Sequence, residues 1–150
     1  MDNMITGIKK AMTTHNFKNV VIFCNKELNA KTLGAAFGLS EFLKSIDIKT
    51  DVFVKNTNEL KAGYPETINQ ITTPHFLAVC VDCKRITDIE TDDYKKSTML
   101  VNIYGPINVK SFGVLNYLSP SVSCSSEIIF KEINDYCKSE TKEVPIHVAQ

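Results

Sequence analysis

Apolar residues in this chain fall into short runs separated by polar segments, and the spacing within each run predicts a secondary structure. A continuous apolar run such as residues 76–81 is typical of a strand that is buried on both faces of a sheet. Five segments with continuous or alternating apolar positions are predicted to be strands: residues 19–24, 49–54, 76–81, 98–103 and 113–118. Apolar positions at helical spacing predict helices over residues 4–15, 32–45 and 123–136.

The segments between these elements are polar and are predicted to form turns, loops and short helical turns. Pro65 suits the first turn of a short helix over residues 65–70. Residues 104–106 have the composition of a turn, and residues 85–94 are predicted to be a loop with a helical turn. The last segment is polar and contains a proline, which predicts a tail with a candidate edge strand at residues 144–148.

The alternation of strands and helices indicates the fold class. Such an order predicts right-handed βαβ connections and a mostly parallel sheet. We therefore expect an α/β fold, namely a Rossmann-like, mostly parallel five-stranded sheet with helices on both faces. A length of 150 residues suits one domain with its own core. We place that domain at residues 1–137 and the polar tail at residues 138–150.

Residues 20–36 combine a buried strand, a polar turn and the start of a helix, for which Asn29 and Thr32 are candidate caps. Ligands of open α/β sheets bind outside the carboxyl ends of the strands, so we expect a binding face above residues 25–31. Neither a G-x-G-x-x-G segment nor a Walker lysine motif follows the strand. This argues against an ordinary dinucleotide or nucleoside triphosphate site.

Charge and composition narrow the classes of partner. Seventeen basic and seventeen acidic residues cancel, so no global positive field attracts long duplex nucleic acid or an anionic membrane. The first ten residues lack the apolar core of a signal peptide, and no stretch is long enough to cross a membrane. The sequence therefore predicts a cytoplasmic protein that binds neither long duplex nucleic acid nor a membrane.

Five cysteines are present, and an odd number without an export signal predicts reduced thiols in the cytoplasm. Cys80 and Cys83 form a C-x-x-C pair, and Cys24 ends a neighbouring predicted strand. One interpretation is a zinc site formed by these three thiols. Structural zinc sites usually have four ligands, however, and no second pair is present. The alternative is that these small apolar side chains pack the sheet.

Several spaced segments together resemble the N-terminal domain of the DHH-family phosphoesterases, in particular the bacterial oligoribonuclease and 3′-phosphoadenosine 5′-phosphate phosphatase type. The resemblance spans residues 5–136. The segments that carry it are residues 20–24, 32–34, 39–43, 78–83 and 125–129. It implies a Rossmann-like fold and an ancestral two-metal phosphoesterase site. The family's second, substrate-gripping domain and its fourth motif would follow residue 136, and we expect neither in these 150 residues.

The motifs that hold metal in that family differ in this chain. The family motif H-x-x-P-D-x-D-x-x-G-S corresponds to residues 25–35, where the resemblance places Asn25 at the His, Asn29 at the first Asp and Lys31 at the second. Asp82 retains the Asp of the second motif. The D-H-H motif is replaced by Tyr104-Gly105-Pro106. One carboxylate cannot hold two divalent ions, so we expect a catalytically inactive protein with no metal and no cofactor.

The charge change at Lys31 leaves two structural alternatives open. The ammonium group could pair with Asp82 in place of a metal ion, or it could point into solvent as an ordinary residue of the first helical turn. A buried pair would make the substitution Lys31→Met strongly destabilising, because a buried charge would lose its partner.

Without chemistry, the chain is expected to act by binding. We favour a protein-interaction or inhibitory module, working as a homo-oligomer or with a partner protein, because its requirements are fewer. The alternative is a non-hydrolytic sensor or sponge of nucleotides, cyclic dinucleotides or short oligonucleotides, and residual phosphoesterase activity is a remote third. The candidate ligand-binding residues are Asn25, Lys26, Asn29, Lys31, Asp82, Arg85 and Tyr104.

Overall fold

A computed structural model describes residues 3–55, 67–104, 112–113, 115–118 and 125–140 of the chain. Six strands are present there: β1 Val20–Cys24, β2 Thr50–Phe53, β3 Thr67–Ile68, β4 Leu77–Val81, β5 Leu100–Tyr104 and β6 Leu115–Leu118. Three α-helices accompany them: α1 Met4–Thr14, α2 Ala30–Ser45 and α3 Ser125–Ser139. Two 3₁₀ helices, Ile86–Asp88 and Asp92–Lys96, lie between β4 and β5.

The strands form one parallel sheet in the order β3-β2-β1-β4-β5-β6. Val20 in the centre of the sheet pairs with Thr50 on one side and with Leu77 on the other. From β1 the chain moves outward to β2 and β3, and it then returns to the other side of β1 to add β4, β5 and β6. This confirms the predicted Rossmann-like α/β fold, and the strand order reverses between β1 and β4.

All three α-helices pack against one face of the sheet, called here the helical face. Strand side chains such as Ile22, Val79 and Ile103 point to this face because alternate residues of a strand face the same way. The helices cover them with buried residues such as Leu39 of α2 and Ile133 of α3.

The opposite face, called here the loop face, is covered by 3₁₀ helices and loops in the described part of the chain. Its centre is aromatic: the ring of Phe23 lies 5.3 Å from that of Phe53 and 6.2 Å from that of Phe76. Ile89 and Tyr94, from the segment that holds the two 3₁₀ helices, pack on this cluster. Helices were predicted on both faces. In the described residues, α-helices cover one face and two short 3₁₀ helices lie on the other.

One predicted helix is wrong where the structure describes it. Residues 67–68 form β3 instead of continuing a helix from Pro65, so the described residues contribute six strands to the sheet where five were expected. The edge of β2 has backbone hydrogen-bonding groups that an adjacent strand can pair with and a helix cannot. Thr67 pairs with Val52, and the Val54 amide donates to the Ile68 carbonyl at 2.8 Å. Thr and Ile are β-branched, which favours extended backbone.

Other boundaries move by small amounts. Tyr104 ends β5, where a turn was expected to start, and residues 105–106 lie outside the described residues. The last helix continues to Ser139, so the first two residues assigned to the tail belong to α3. The candidate edge strand at residues 144–148 also lies outside the described residues. In the described part of the chain, no helix combines the length and apolar character needed to cross a membrane.

Candidate functional site

The carboxyl ends of β1 and β4 mark the point where the strand order reverses, and open α/β sheets bind their ligands outside such a point. Cys24 is the last residue of β1 and Val81 is the last residue of β4, and the two are register partners. Asn25 and Asp82 follow them. The topology therefore brings together two candidate residues that are far apart in sequence.

Asn25 uses both polar atoms of its amide to hold backbone, one across the two strand ends and one within its own turn. Its Nδ2 donates to the backbone carbonyl of Asp82 at 2.8 Å. Its Oδ1 accepts from the backbone N–H of Glu27 at 2.8 Å, which closes a local turn. Both polar atoms of the side chain are thus engaged in holding backbone.

Asn29 starts α2 as its N-cap, as its residue type predicts. Its backbone is extended, and its Oδ1 accepts from the N–H of Thr32 at 2.9 Å. Its own carbonyl accepts the first helical bond, from the N–H of Leu33 at 3.0 Å. The side-chain oxygen of Asn29 therefore satisfies one of the free N–H groups in the first turn of α2.

Asp82 occupies left-handed backbone with φ of 66°, which short polar side chains tolerate better than most residues. Its N–H still donates to the carbonyl of Ile103 on β5 at 3.1 Å. Its half-buried carboxylate accepts a 2.7 Å hydrogen bond from the hydroxyl of Thr32, a buried residue in the first turn of α2. Asp82, the one acidic residue kept from the family motifs in the resemblance, is thus hydrogen-bonded to α2, the helix that follows β1.

The segment 83–90, called here the return loop, folds back from β4 over the end of β1. The N–H of Lys26 donates to the carbonyl of Asp88 at 2.8 Å. The N–H of Glu90 donates to the carbonyl of Cys24 at 3.0 Å. These two bonds form an antiparallel bridge between residues 25 and 89, through which the return loop covers the end of β1 on the loop face.

Side chains of the return loop stabilise it further. The Asp88 carboxylate accepts from the N–H of Arg85 at 3.1 Å, and the Arg85 guanidinium lies 3.9 Å from it. Arg85 is 74% exposed, so this ion pair is weak and leaves most of the guanidinium available to a ligand. Glu90 accepts from the N–H of Lys55 at 2.5 Å, which links the loop to the end of β2.

Three candidate cations, Lys26, Lys31 and Arg85, are exposed at this edge of the sheet. Among the described residues, no ion pair joins Lys31 to Asp82, whose carboxylate accepts from Thr32 instead. Of the two alternatives left open by the sequence, the solvent-exposed Lys31 is the one observed.

Tyr104 ends β5 beside the same edge. Burial raises the pKa of Tyr104, and the nearby groups Asp82 and Asp88 raise it further. Candidate residues from β1, β4 and β5 therefore share one edge of the sheet.

The residues present do not fit the two metal ions that the DHH resemblance implies. Asn25 and Asn29 use their amide oxygens on backbone N–H groups, and Lys31 carries a positive charge. Asp82 alone supplies a carboxylate at the matching positions, and two-metal sites need several hard ligands. Over the described ranges, no three His, Cys, Asp or Glu side chains lie close enough together to hold an ion.

Sequence reasoning missed the roles of Thr32, Asp88 and Glu90. Thr32 was considered only as a cap, and its bond to Asp82 joins residues 50 positions apart. Asp88 and Glu90 stood in a segment predicted to be a loop. The spacing of Arg85 and Asp88 around a helical turn is a capping signal that would have indicated the local bond at Asp88, but not the bridge to Lys26.

Comparison with known proteins gives the fold. No protein-family profile matches the chain, and no curated protein sequence does either. Among solved structures, it resembles an exopolyphosphatase-related protein from Bacteroides fragilis, with a TM-score of 0.75 and 18% sequence identity. The match covers 97% of this chain and 46% of the other, so the chain spans about half the length of that protein. At this identity the match establishes a shared α/β fold with a phosphatase-related protein.

Proposed function

We propose that this chain is a non-catalytic relative of the DHH-family phosphoesterases, which acts by binding a phosphate-bearing ligand at the carboxyl edge of β1 and β4. The observation that carries the non-catalytic part of the proposal is that the side-chain oxygens at the metal-ligand positions accept hydrogen bonds from the protein itself. Asn25, Asn29 and Asp82 all accept bonds from the protein itself, at positions where an active relative would present metal ligands. The fold shared with an exopolyphosphatase-related protein supports this ancestry.

The charges at the edge favour a phosphate-bearing ligand. Lys26 and Arg85 belong to segments joined through Asp88, and Lys31 lies in the first turn of α2 beside Thr32. All three cations are exposed, and they lie outside the strand ends where ligands of this fold class bind. Nucleotides, cyclic dinucleotides and short oligonucleotides are the ligands whose phosphates match this arrangement.

A protein-interaction or inhibitory role is the second candidate, and one observation favours it. Ile86, in the return loop, exposes 39% of its surface next to Arg85. An exposed aliphatic side chain beside an exposed guanidinium is typical of protein contact surfaces, in which arginine is enriched. A partner protein or a second copy of the chain would then cover the edge.

A thermal-shift screen of the purified chain tests the proposal. The probes are 3′-phosphoadenosine 5′-phosphate, linear dinucleotides and cyclic dinucleotides, each with and without Mn²⁺, with product analysis of every mixture. A probe at 100 times its dissociation constant should add about 2.7 kcal/mol to the free energy of unfolding. We expect stabilisation by at least one probe without Mn²⁺, and recovery of that probe intact.

Paired variants locate the site. The double substitution Lys26→Met and Lys31→Met removes two charges at the carboxyl edge, and we expect it to weaken binding at least tenfold, about 1.4 kcal/mol. Lys18 and Lys49 are exposed at the opposite, amino edge of the sheet. Replacing both with Met removes the same charge and should leave the affinity unchanged.

Other outcomes contradict specific parts of the proposal. Mn²⁺-dependent cleavage of a probe would show that the chain is an enzyme. Equal weakening by the two double variants would indicate attraction by overall charge only. If no probe stabilises the chain, while its mass in solution is that of a dimer or larger assembly, the protein-interaction role becomes the better account.

A further inference from the structure

The side of α2 that faces away from the sheet carries two glycines in the interior of the helix, Gly34 and Gly38. Gly34 is exposed and Gly38 is half-buried. After proline, glycine is the least favourable residue inside a helix. The described residues do not require glycine at residue 38. Apart from the backbone of α2 and the residues next to it in the chain, none of their atoms lies within 4 Å of a Cβ atom built there.

An exposed aromatic residue, Phe130, lies on α3 at the same height as these glycines. Phe130 exposes 44% of its surface. The hydroxyl of Ser125, the first residue of α3, donates to a carbonyl near the end of β5, so α3 starts at the same edge of the sheet as α2 and runs in the same direction. The rings of Phe42 and Tyr136 join the two helices at 5.9 Å. Six residues before that contact along each helix, Phe130 is level with the segment between the glycines.

Phe130 also lies on the flank of α3 that faces α2. The other flank faces α1, because Asn3, the N-cap of α1, donates to the carboxylate of Glu132 at 2.7 Å. Residues two apart on a helix lie about 200° apart around its axis, so Phe130 points away from α1 and towards α2. The exposed ring and the glycines therefore belong to one surface. This surface, called here the outer face, consists of Lys31, Gly34, Gly38, Glu41 and Phe130.

The order of residues along α2 makes the outer face complementary to a second copy of itself. Lys31, Gly34, Gly38 and Glu41 are spaced by three, four and three residues, so they lie on one stripe of the helix. In an antiparallel pair of α2 helices with a two-fold axis at residue 36, residues equally distant from 36 face each other. Each Lys31 then faces the partner's Glu41, and each Gly34 faces the partner's Gly38.

We propose that the outer face is the interface of a homodimer, in which the α2 helices of two copies cross antiparallel at Gly34 and Gly38. Small residues at the crossing let the two helix backbones approach closely. Phe130 packs on the partner's α2 beside the crossing, and the two pairs of opposite charge fix the register. A partner for this stripe needs the same charges in reversed order, and a second copy of the chain supplies them.

This inference does not rest on the ligand proposed for the carboxyl edge, because the mass of the chain is measured without any ligand. Lys31 belongs to both surfaces, since it lies in the first turn of α2. The two proposals therefore fail separately: absence of ligand binding leaves the dimer intact, and a monomeric chain can still bind a ligand.

Light scattering coupled to size-exclusion chromatography tests the dimer on the full chain over a dilution series. We expect twice the mass of one chain, falling towards a single mass on dilution. Gly38→Gln puts a long side chain at the crossing, in space that is open within one copy, so the variant should fold and its dissociation constant should rise roughly tenfold or more. Phe130→Gln should weaken the dimer too. Thr13→Gln, at an exposed position of α1, is the control and should leave the mass unchanged.

Charge reversal tests the antiparallel register. Lys31→Glu alone puts two carboxylates opposite each other, and Glu41→Lys alone puts two ammonium groups opposite each other, so each should weaken the dimer. The combined variant restores opposite charges across the interface and has the net charge of the wild type. It should therefore recover most of the wild-type affinity, with circular dichroism confirming that every variant is folded.

Three results would overturn the proposal. The first is a monomeric mass at every concentration of the wild-type chain. The second is a dimer that Gly38→Gln leaves unchanged, because the contact would then lie on another surface. The third is a dimer that both single reversals weaken and the combined variant does not recover, because the two copies would then not pair Lys31 with the partner's Glu41.

Discussion

The two faces of the sheet differ in what covers them and in what they bury. On the helical face, α1, α2 and α3 cover aliphatic strand residues, and Phe42 of α2 meets Tyr136 of α3 edge to face at 5.9 Å. The loop face buries an aromatic cluster together with Cys80, Cys83 and Asn102. In the described part of the chain, the Asn102 Nδ2 group has no hydrogen-bond partner.

This difference has a physical origin. An α-helix satisfies its own backbone polar groups, so it can present a wholly apolar surface to the sheet. Loops and 3₁₀ helices must find partners for their backbone and bring polar side chains with them. Asp88, Glu90 and the two thiols therefore lie where the return loop meets the sheet, and the candidate chemistry collects at the loop face and the adjoining carboxyl edge.

The largest expected effect tests the tight packing of the helical face. A Cβ atom added at Gly7 of α1 would overlap the hydroxyl oxygen of the buried Tyr117 on β6. Overpacking costs more than the gain in helix propensity returns, so we expect Gly7→Ala to lower the free energy of unfolding by about 2 kcal/mol. Urea denaturation would measure it.

A double-mutant cycle makes that prediction specific. The ring carbon Cζ of Tyr117 would lie 3.5 Å from the new Cβ, an ordinary contact, so only the hydroxyl obstructs it. Gly7→Ala should therefore cost much less in a Tyr117→Phe background than in the wild type. Equal costs in both backgrounds would mean that the Tyr117 hydroxyl is not the obstruction to a side chain at residue 7.

A smaller effect is expected at the carboxyl edge. Thr32→Val keeps the shape of the side chain but removes the hydroxyl that donates to Asp82. Hydrogen bonds to charged groups contribute more than neutral ones, and solvent access to Asp82 reduces this, so we expect a loss of about 1–2 kcal/mol. Thr32→Ser retains the donor and should recover most of it in the same denaturation measurement. A loss as large with Ser as with Val would assign the effect to packing.

The loop face should tolerate a change that a saturated polar core would not. Asn102→Leu removes a buried amide whose Nδ2 has no partner among the described residues and whose Oδ1 accepts a weak bond from the Cys80 thiol. We expect the free energy of unfolding to change by less than about 1 kcal/mol, whereas Asn102→Asp buries an unpaired carboxyl group and should cost more. A large loss with Leu would reveal a partner of this amide in solution.

The smallest effect is expected at Lys31. Because this side chain is exposed and Asp82 accepts a hydrogen bond from Thr32, Lys31→Met should change the free energy of unfolding by less than about 0.5 kcal/mol. A loss of several kcal/mol would instead indicate the buried pair with Asp82 that the sequence left open. Lys18→Met at the amino edge is the matched control.

Local sequence determined most of the framework. Apolar periodicity predicted α1, α2, α3 and five of the six strands, because it records which residues of one element face the core. Asn29 was predicted as a helix cap from its own residue type and position, and the structure has it as the N-cap of α2. The short strand β3 was missed because two residues carry too little periodicity and its partner, β2, is distant in sequence.

Only the tertiary structure decided which of the candidate side chains interact. The sequence left open whether Lys31 pairs with Asp82 or points into solvent. In the fold, Asp82 accepts instead from Thr32, because the first turn of α2 lies within hydrogen-bond distance of the residue that follows β4. The fold also placed Cys80 and Cys83 in the same buried cluster of the loop face, with the left-handed backbone of Asp82 between them. Helix and strand signals depend on neighbours within a few residues, whereas these contacts join segments that meet only when a parallel sheet reverses its strand order.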